Sequence, residues 1–470
     1  MRFECLHVLR DRAFMGLLCA LLLLTVIALI AGVRWYHFQV DAVTATQQHD
    51  LAQQQETERK GREILQGTTA PPRGWWSNPA DVRGYAYYLL QVHAIKPPEP
   101  LTALTVGLSD VLPYYLRVSP GRQDKVRTAY EAEHPKRLLI GRFDATFVVI
   151  FVLPLLLIAA CFNALAEEQE SGRLPSLALH GVSPRGLVML RVLLRAGVLA
   201  LVFSTTIGLG VVASGIPVSA SALFTWLALA LAYLGFWTAL ILVGVSLCKG
   251  AASAALSLAG IWLLLLVIVP GLVNLVVNHL HPLPSRSDFI LSQRQASDEA
   301  EQRRAELLGR YLHDHPELSD VDTEDPVIFR FAANIAADEF VEQEVRPVQQ
   351  RFDERLLAQQ RVIDRWQWTS PAITMQLAMT DLAGAGHARQ RWYLAKVDQY
   401  VAELRAFFYP RIARGEYRFD DYREWPRWNW QPTSDPSTTN RLVVCLSLLV
   451  GLTVLGSAFA WRRLRRIPIV

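Results

Sequence analysis

ASAALSLAGIWLLLLVIVPGLVNLVVN, residues 252–278, contains no Asp, Glu, Lys, Arg or His. At a rise of ~1.5 Å per residue, a helix of this length crosses the ~30 Å hydrocarbon core of a bilayer. Five further blocks, 13–33, 145–165, 187–213, 219–247 and 442–460, are similarly apolar with almost no charge. Hydrophobic residues make up 51% of the 470-residue chain and charged residues 19%. The apolar residues gather in these blocks instead of being spread as a soluble core requires. Residues 187–278 divide at Gly215-Ile216-Pro217 and at Cys248-Lys249-Gly250, so six crossings are expected. The first block is long for a signal peptide, and LIAGVRWYH offers no small-x-small cleavage pattern. It is expected to be a retained anchor.

Lys and Arg set the orientation. Arg2, Arg10 and Arg12 precede the first block, and Arg462, Arg463, Arg465 and Arg466 follow the last. Arg173, Arg185, Arg191 and Arg195 follow the second, and Lys249 lies between the fourth and fifth. With six crossings all of these fall on one side, which is then cytoplasmic, as are both termini. The net charge of +4 reflects this topology and gives no reason to expect nucleic-acid binding. The expected fold class is an all-α polytopic membrane protein, with six transmembrane helices and two mainly helical extracytoplasmic domains. Its parts are 1–33 (N-terminus and first span), 34–143 (first outer domain), 144–278 (spans two to five, with the cytoplasmic loop 166–187), 279–441 (second outer domain) and 442–470 (sixth span and basic tail).

Residues 41–66 are polar and rich in helix formers, so they are expected to continue the first helix beyond the membrane. The Pro- and Gly-rich stretch that follows offers Trp75, Trp76, Tyr85, Tyr87 and Tyr88 as packing anchors. From Asn334 to Trp368 an approximate three-four spacing of apolar residues predicts an amphipathic helix, kinked or divided at Pro347. Another is expected over about 390–408. All five cysteines (Cys5, Cys19, Cys161, Cys248, Cys445) lie in or beside apolar blocks, so the outer domains are expected to fold without disulfides.

Several chemistries are excluded or weakly supported. No lysine is followed by Ser or Thr, so a Walker A loop is absent and the chain is not expected to be an ATPase by itself. There is no G-x-S-x-G elbow and no H-E-x-x-H pair. The block interiors hold no carboxylate or imidazole of the kind that relays protons or binds ions in coupled transporters. His313 and His315, with Asp314 and Glu317, form the most metal-like cluster, but HDHPELSD also has the composition of a turn, so no metal is assigned. Asn274 and Asn278 could line a polar path or bond between helices.

EEQESGRLPSLALHGVSPRG, residues 167–186, joins the second and third blocks. Glu167, Glu168 and Glu170 follow the apolar run, Gly172 permits a sharp turn, and Leu174 and Leu177 give an apolar patch. Ser183-Pro184-Arg185 then has the form of a helix start, with Pro in the first turn. By periodicity alone this is a small amphipathic helix on the membrane face or an ordinary connector.

The run Glu170, Gly172, Leu174, Leu177, Gly181, Val182, Ser183, Pro184, Arg185 resembles the cytoplasmic signature of ABC-2-type permeases. Pro175 and Arg191 depart from it, standing where a polar residue and Lys are more usual. Met379-Thr380-Asp381 with Trp392 and Tyr400 is similar to a branch of that family carrying a large, uncharacterised periplasmic domain. The resemblance implies the permease subunit of an ATP-binding cassette transporter, an exporter, in a bacterial inner membrane. It implies a separate ATPase subunit that holds ATP and Mg²⁺ and docks on the 167–186 loop, while this chain binds no cofactor. It further implies a second permease, as a homodimer or a paired paralogue, within the lipid bilayer. Glu170 and Arg185 would couple, and Gly172 would form the turn. The alternative from another class is a non-transporting mechanotransmitter or scaffold acting on a periplasmic partner. A membrane-anchored sensor or hydrolase would rest on His313 and His315 alone.

Overall fold

The computed structural model describes residues 10–121, 143–165, 183–248, 250–318, 320–431 and 436–465. They are mostly helical. Helix α1, Arg12–Leu65, opens at Asp11, whose carboxylate accepts from the Ala13 and Phe14 N–H groups. It runs unbroken for 54 residues, about 80 Å at ~1.5 Å per residue. The polar stretch 41–66 therefore does continue the first apolar block as one helix. Helix α2, Ala145–Cys161, follows, then α3, Pro184–Ser214, α4, Ala220–Leu247, and α5, Ala251–Leu280. Helix α3 ends at Gly215 in the left-handed region (φ +68°), and α4 ends at Leu247. Both breaks thus lie where the Gly-Ile-Pro and Cys-Lys-Gly triplets place them. Beyond α5 come α6 (Arg286–Gln302), α7 (Arg304–Asp314), α8 (Pro326–Trp366), α9 (Pro371–Leu382), α10 (His387–Ala413) and α11 (Pro436–Leu464).

Among the described residues, five helices are long and apolar enough to cross a membrane: α1, α3, α4, α5 and α11. The expected second crossing, 145–165, forms a shorter helix that stops at Cys161 and continues as a turn. Its 17 residues span about 26 Å at ~1.5 Å each, just under the ~30 Å apolar thickness.

Two apolar helices contain π-turns, Val148–Val152 in α2 and Leu264–Ile268 in α5. A π-turn disturbs the regular carbonyl ladder, and a carbonyl released in an apolar setting needs another donor. Side chains supply these donors. Tyr233 OH donates to Ile150 O (3.2 Å), Trp262 Nε1 to Phe151 O (3.2 Å) and Ser370 Oγ to Leu265 O (2.6 Å).

Two apolar cores result. The first joins α1 to α5 and α11 with Leu101, Leu104 and the buried face of α9, including Met375, Ala378 and Met379. Helix α9 belongs to the 279–441 segment, yet it packs against α4, α11 and the π-turn of α5. Twelve residues suit a buried or re-entrant helix better than a crossing. Its entry is fixed by Ser370, which caps the Ala372 N–H and bonds Leu265 O. Its exit is fixed by Arg441 at the start of α11, which bridges Asp381 (2.6 Å) and Asp364 (3.0 Å).

The second core is a head. Val82, Tyr85, Ala94, Leu116 and Val118 from the first polar segment share it with Phe331, Ile335, Tyr393, Phe408, Phe419 and Trp425 from the second. The two segments therefore share one hydrophobic core. Residues 80–82 and 417–419 pair through backbone bonds, Val82 N to Tyr417 O (2.8 Å) and Phe419 N to Ala80 O (2.9 Å). Between 66 and 121 the chain is irregular, with short helical turns and a two-stranded antiparallel sheet, β1 His93–Ile95 with β2 Tyr115–Arg117. Its Pro and Gly content disfavours long helices. Asp50 of α1 grips β1 by accepting from the His93 N–H (2.8 Å) and contacting His93 Nδ1 (2.9 Å). Among the aromatic anchors, Tyr85 is buried and Trp75 packs edge-on against Phe331, whereas Trp76 and Tyr88 are exposed. Pro347 does not divide α8, which continues through it. Cys19, Cys161, Cys248 and Cys445 are free thiols.

The junction between bundle and head is close at Gly32, where a Cβ would lie 2.0 Å from Ala103 O. That neighbour is backbone and cannot swing away. Gly32→Val is expected to part α1 from the 100–105 turn at a cost on the order of 2–3 kcal/mol for an overpacked site, lowering the melting temperature by about 3 °C. Gly197→Val, where nothing approaches, is the matched control.

Candidate functional site

The end of the bundle away from the head brings together the ends of α1, α2 and α3. The last carbonyls of any helix lack intrahelical partners. Helix α2 closes two of its own, Phe162 N bonding Ile158 O (3.0 Å) and Ala164 N bonding Cys161 O (3.1 Å). Two arginines of α3 complete the job. Arg195 Nη1 donates to Ala160 O and reaches Asn163 Oδ1 (3.5 Å), and Arg191 Nη1 donates to Ala164 O (3.5 Å). Four residues apart, they lie on one face of α3, and a cation suits the negative end of the α2 dipole. Arg195 Nη2 also meets Asp11 Oδ2 at 3.4 Å, and its guanidinium faces the Phe14 ring at 6.0 Å. Asp11 is the cap that opens α1, so one buried arginine of α3 (5% exposed) binds the start of α1 and the end of α2. Ser183 opens α3, its Oγ accepting from the Gly186 N–H (3.3 Å), with Pro184 as the first helical residue. That is the helix start its Ser-Pro-Arg sequence predicts.

Between the two anchored ends lie residues 166–182. Glu167, Glu168, Glu170, Gly172, Leu174 and Leu177 fall there, outside the described residues. So do the side chains of Pro184 and Arg185. Of the proposed coupling residues, Ser183 alone is fully described. Arg191 and Arg195 enter the sequence only as basic charges that orient the chain, yet the structure buries both. Their signal is a pair of arginines at i and i+4 inside an otherwise apolar block.

The remaining candidates lie elsewhere. Asn278 Nδ2 donates to Asn274 Oδ1 (3.3 Å), and Gln359 of α8 donates to Asn278 Oδ1 (3.4 Å) and to His281 O (2.8 Å). Both asparagines are exposed, and Asn278 links α5 to α8. His313 is 87% exposed on its side chain and meets Asp314 at 3.3 Å. His315 turns to a different set, Glu317 (2.9 Å) and Glu339 (3.6 Å), and packs on Tyr311. The structure does not bring the two imidazoles onto one centre, and among the described residues no group of three or more such side chains could hold a metal.

Residues 286–431 match the domain of unknown function DUF3526. The match runs from the first residue of α6 to just beyond the Trp428–Trp430 pair, so it takes in most of the head and the bundle-packed helix α9. No curated protein and no solved structure matches the chain.

Proposed function

We propose that the chain is the permease subunit of an ATP-binding cassette exporter of the ABC-2 type, spanning a bacterial inner membrane six times with the head outside. The arginine-tied end of the bundle carries this reading. Segment 166–182, whose sequence resembles the family's signature, connects α2 to α3, and Arg191 and Arg195 tie the end of α2 to α3. A separate ATPase closing on ATP and Mg²⁺ would push on this segment, and the push would pass to α1, α2 and α3 together. A second permease copy or paralogue completes the transporter. Glu170 and Arg185 make the coupling contacts.

The test reconstitutes the full chain with its ATPase and measures stimulated ATP hydrolysis and export for Glu170→Ala and Arg185→Ala. Stimulation is expected to fall about tenfold, a coupling loss of ~1.4 kcal/mol. Unchanged stimulation and transport would sink the coupling role.

One observation favours a second reading, a mechanotransmitter that works on a periplasmic partner. Helix α1 passes without a break from the Arg195 contact to the Asp50–His93 contact in the head. A stiff helix anchored at both ends transmits movement whether or not a solute crosses. Head movement on ATP addition without solute flux would decide for this second reading.

A further inference from the structure

Where the bundle meets the head, α1, the 96–112 turn and the start of α10 line a small, partly open cleft. Gln39 lines it and is only 1% exposed. Its Nε2 donates to Ser109 O (3.2 Å), which fixes the amide orientation and leaves Oε1 as the acceptor. That oxygen is buried and has no partner among the described residues. A buried acceptor left alone is costly and calls for a donor.

Lys96 also lines the cleft. Its ammonium has three donors, of which one goes to Gln390 Oε1, and Gln390 is itself held by donating to Pro113 O (3.3 Å). The other lining cation, Arg389, is bound to Glu99 at 2.5 Å. The pair closes over Gly384, where a Cβ would stand 2.7 Å from Arg389 Nη1 and 2.9 Å from Glu99 Cγ. The nearby carboxylate Asp381 is taken by Arg441 (2.6 Å). The charge left for a ligand is therefore the Lys96 ammonium. Burial, with Arg389 close by, pushes its pKa down to about 7, the behaviour of a cation that lacks an anion.

A ligand matching both groups must be an anion that also carries a proton to donate. We propose that this cleft binds a hydrogen phosphate group, free or as the phosphomonoester head of a lipid, with its charged oxygens on Lys96 and its P–OH donating to Gln39 Oε1. Sulfate has the same shape and charge class but no proton near neutrality, so it leaves Gln39 unsatisfied. A phosphodiester head has the same defect. The position suits a headgroup, because Gln39 lies a few residues beyond the end of the apolar stretch of α1 at Gly32 and Val33.

The experiment is equilibrium binding of labelled inorganic phosphate to the purified full chain in detergent, with sulfate as competitor. Phosphate is expected to bind at least tenfold more tightly than sulfate. Gln39→Leu should abolish that preference, and Lys96→Met should weaken both anions about tenfold, as loss of a charge-assisted bond does. Lys96→Met also removes a buried charge, so the variant is expected to melt no lower than the parent protein without ligand. Micelles containing phosphatidic acid, against phosphatidylcholine, assign the source. Displacement of labelled phosphate by the former alone identifies the lipid head, and displacement by neither identifies the free anion. Absent binding, equal binding of phosphate and sulfate, or a preference that survives Gln39→Leu overturns the proposal. The wild-type phosphate-to-sulfate ratio decides even if a variant misfolds.

Discussion

Arg195→Ala is expected to release the start of α1 and the end of α2 from α3 at once. The substitution leaves Ala160 O without its donor, takes from Asp11 its nearest cation, and opens a gap beside Phe14. An orphaned buried acceptor costs about 1–3 kcal/mol, and the lost packing adds to it, so a total near 3 kcal/mol is expected. Arg191→Ala removes a longer bond to Ala164 O (3.5 Å), and that loss should cost about 1 kcal/mol. Arg195→Lys keeps the charge but replaces a planar fork by a point donor, so it should recover part of the loss. Thermal unfolding of the purified chain ranks the three. If the proposed coupling to an ATPase holds, its stimulation should fall more steeply for Arg195→Ala than for Arg191→Ala, because Arg195 reaches Asp11 at the start of α1. Equal effects from the two arginines would show that the α1 contact contributes nothing.

The large features were legible because long apolar blocks and helix punctuation are local signals. Residues 252–278 announce a crossing by composition, Ser183-Pro184 announces the start of α3, and Gly215 announces its end. The extension of α1 to Leu65 follows from an unbroken run of helix formers. What did not show was anything that depends on contacts between distant segments. The head reads as two domains because its halves, 80–118 and 286–425, stand on either side of four apolar helices. Only pairing such as Val82 with Tyr417 reveals a single core. Helix α9 escapes for a related reason. Twelve residues with Gln376, Thr380 and Asp381 among them carry no membrane signal, and the helix is held by Ser370 on a π-turn carbonyl that sequence periodicity does not expose.

The site divides the same way. The 166–182 segment is recognisable from its residues, whereas the structure contributes what holds its two ends. Arg191 and Arg195 are visible in the sequence as charges, and charges near an apolar block are ordinarily solvated or drawn to headgroups. Their burial against the α2 carbonyls depends on how α2 and α3 turn towards each other. Gln39 and Lys96 are 57 positions apart. Nothing short of the fold brings the two side chains to one cleft.

The other large effect is expected in the head. Arg405 of α10 grips Glu342 of α8 with two parallel bonds, Nη1 to Oε2 (2.6 Å) and Nη2 to Oε1 (2.5 Å). Its Nε donates to Pro120 O (2.8 Å) and Nη2 also to Gly121 O (3.1 Å). One side chain thus joins two helices of the second polar segment to the end of the described part of the first. Both partners of the pair are about one-fifth exposed, so water screens it only partly. Arg405→Ala should cost about 3–4 kcal/mol, the range for breaking a largely buried pair and leaving its partner charged. Tyr409 OH still holds Pro120 O (2.6 Å), which limits the damage to the ion pair and Gly121. Glu342→Gln keeps neutral acceptance at one position and should cost less, about 2 kcal/mol. In the double variant, the loss should fall short of the two single losses added together by at least ~1 kcal/mol, as for residues in direct contact. The measurement is denaturant unfolding followed by tryptophan emission, because Trp425 and Trp75 sit in the same head core. Strict additivity would mean that the two side chains act independently and that the ion pair adds nothing to the stability of the head.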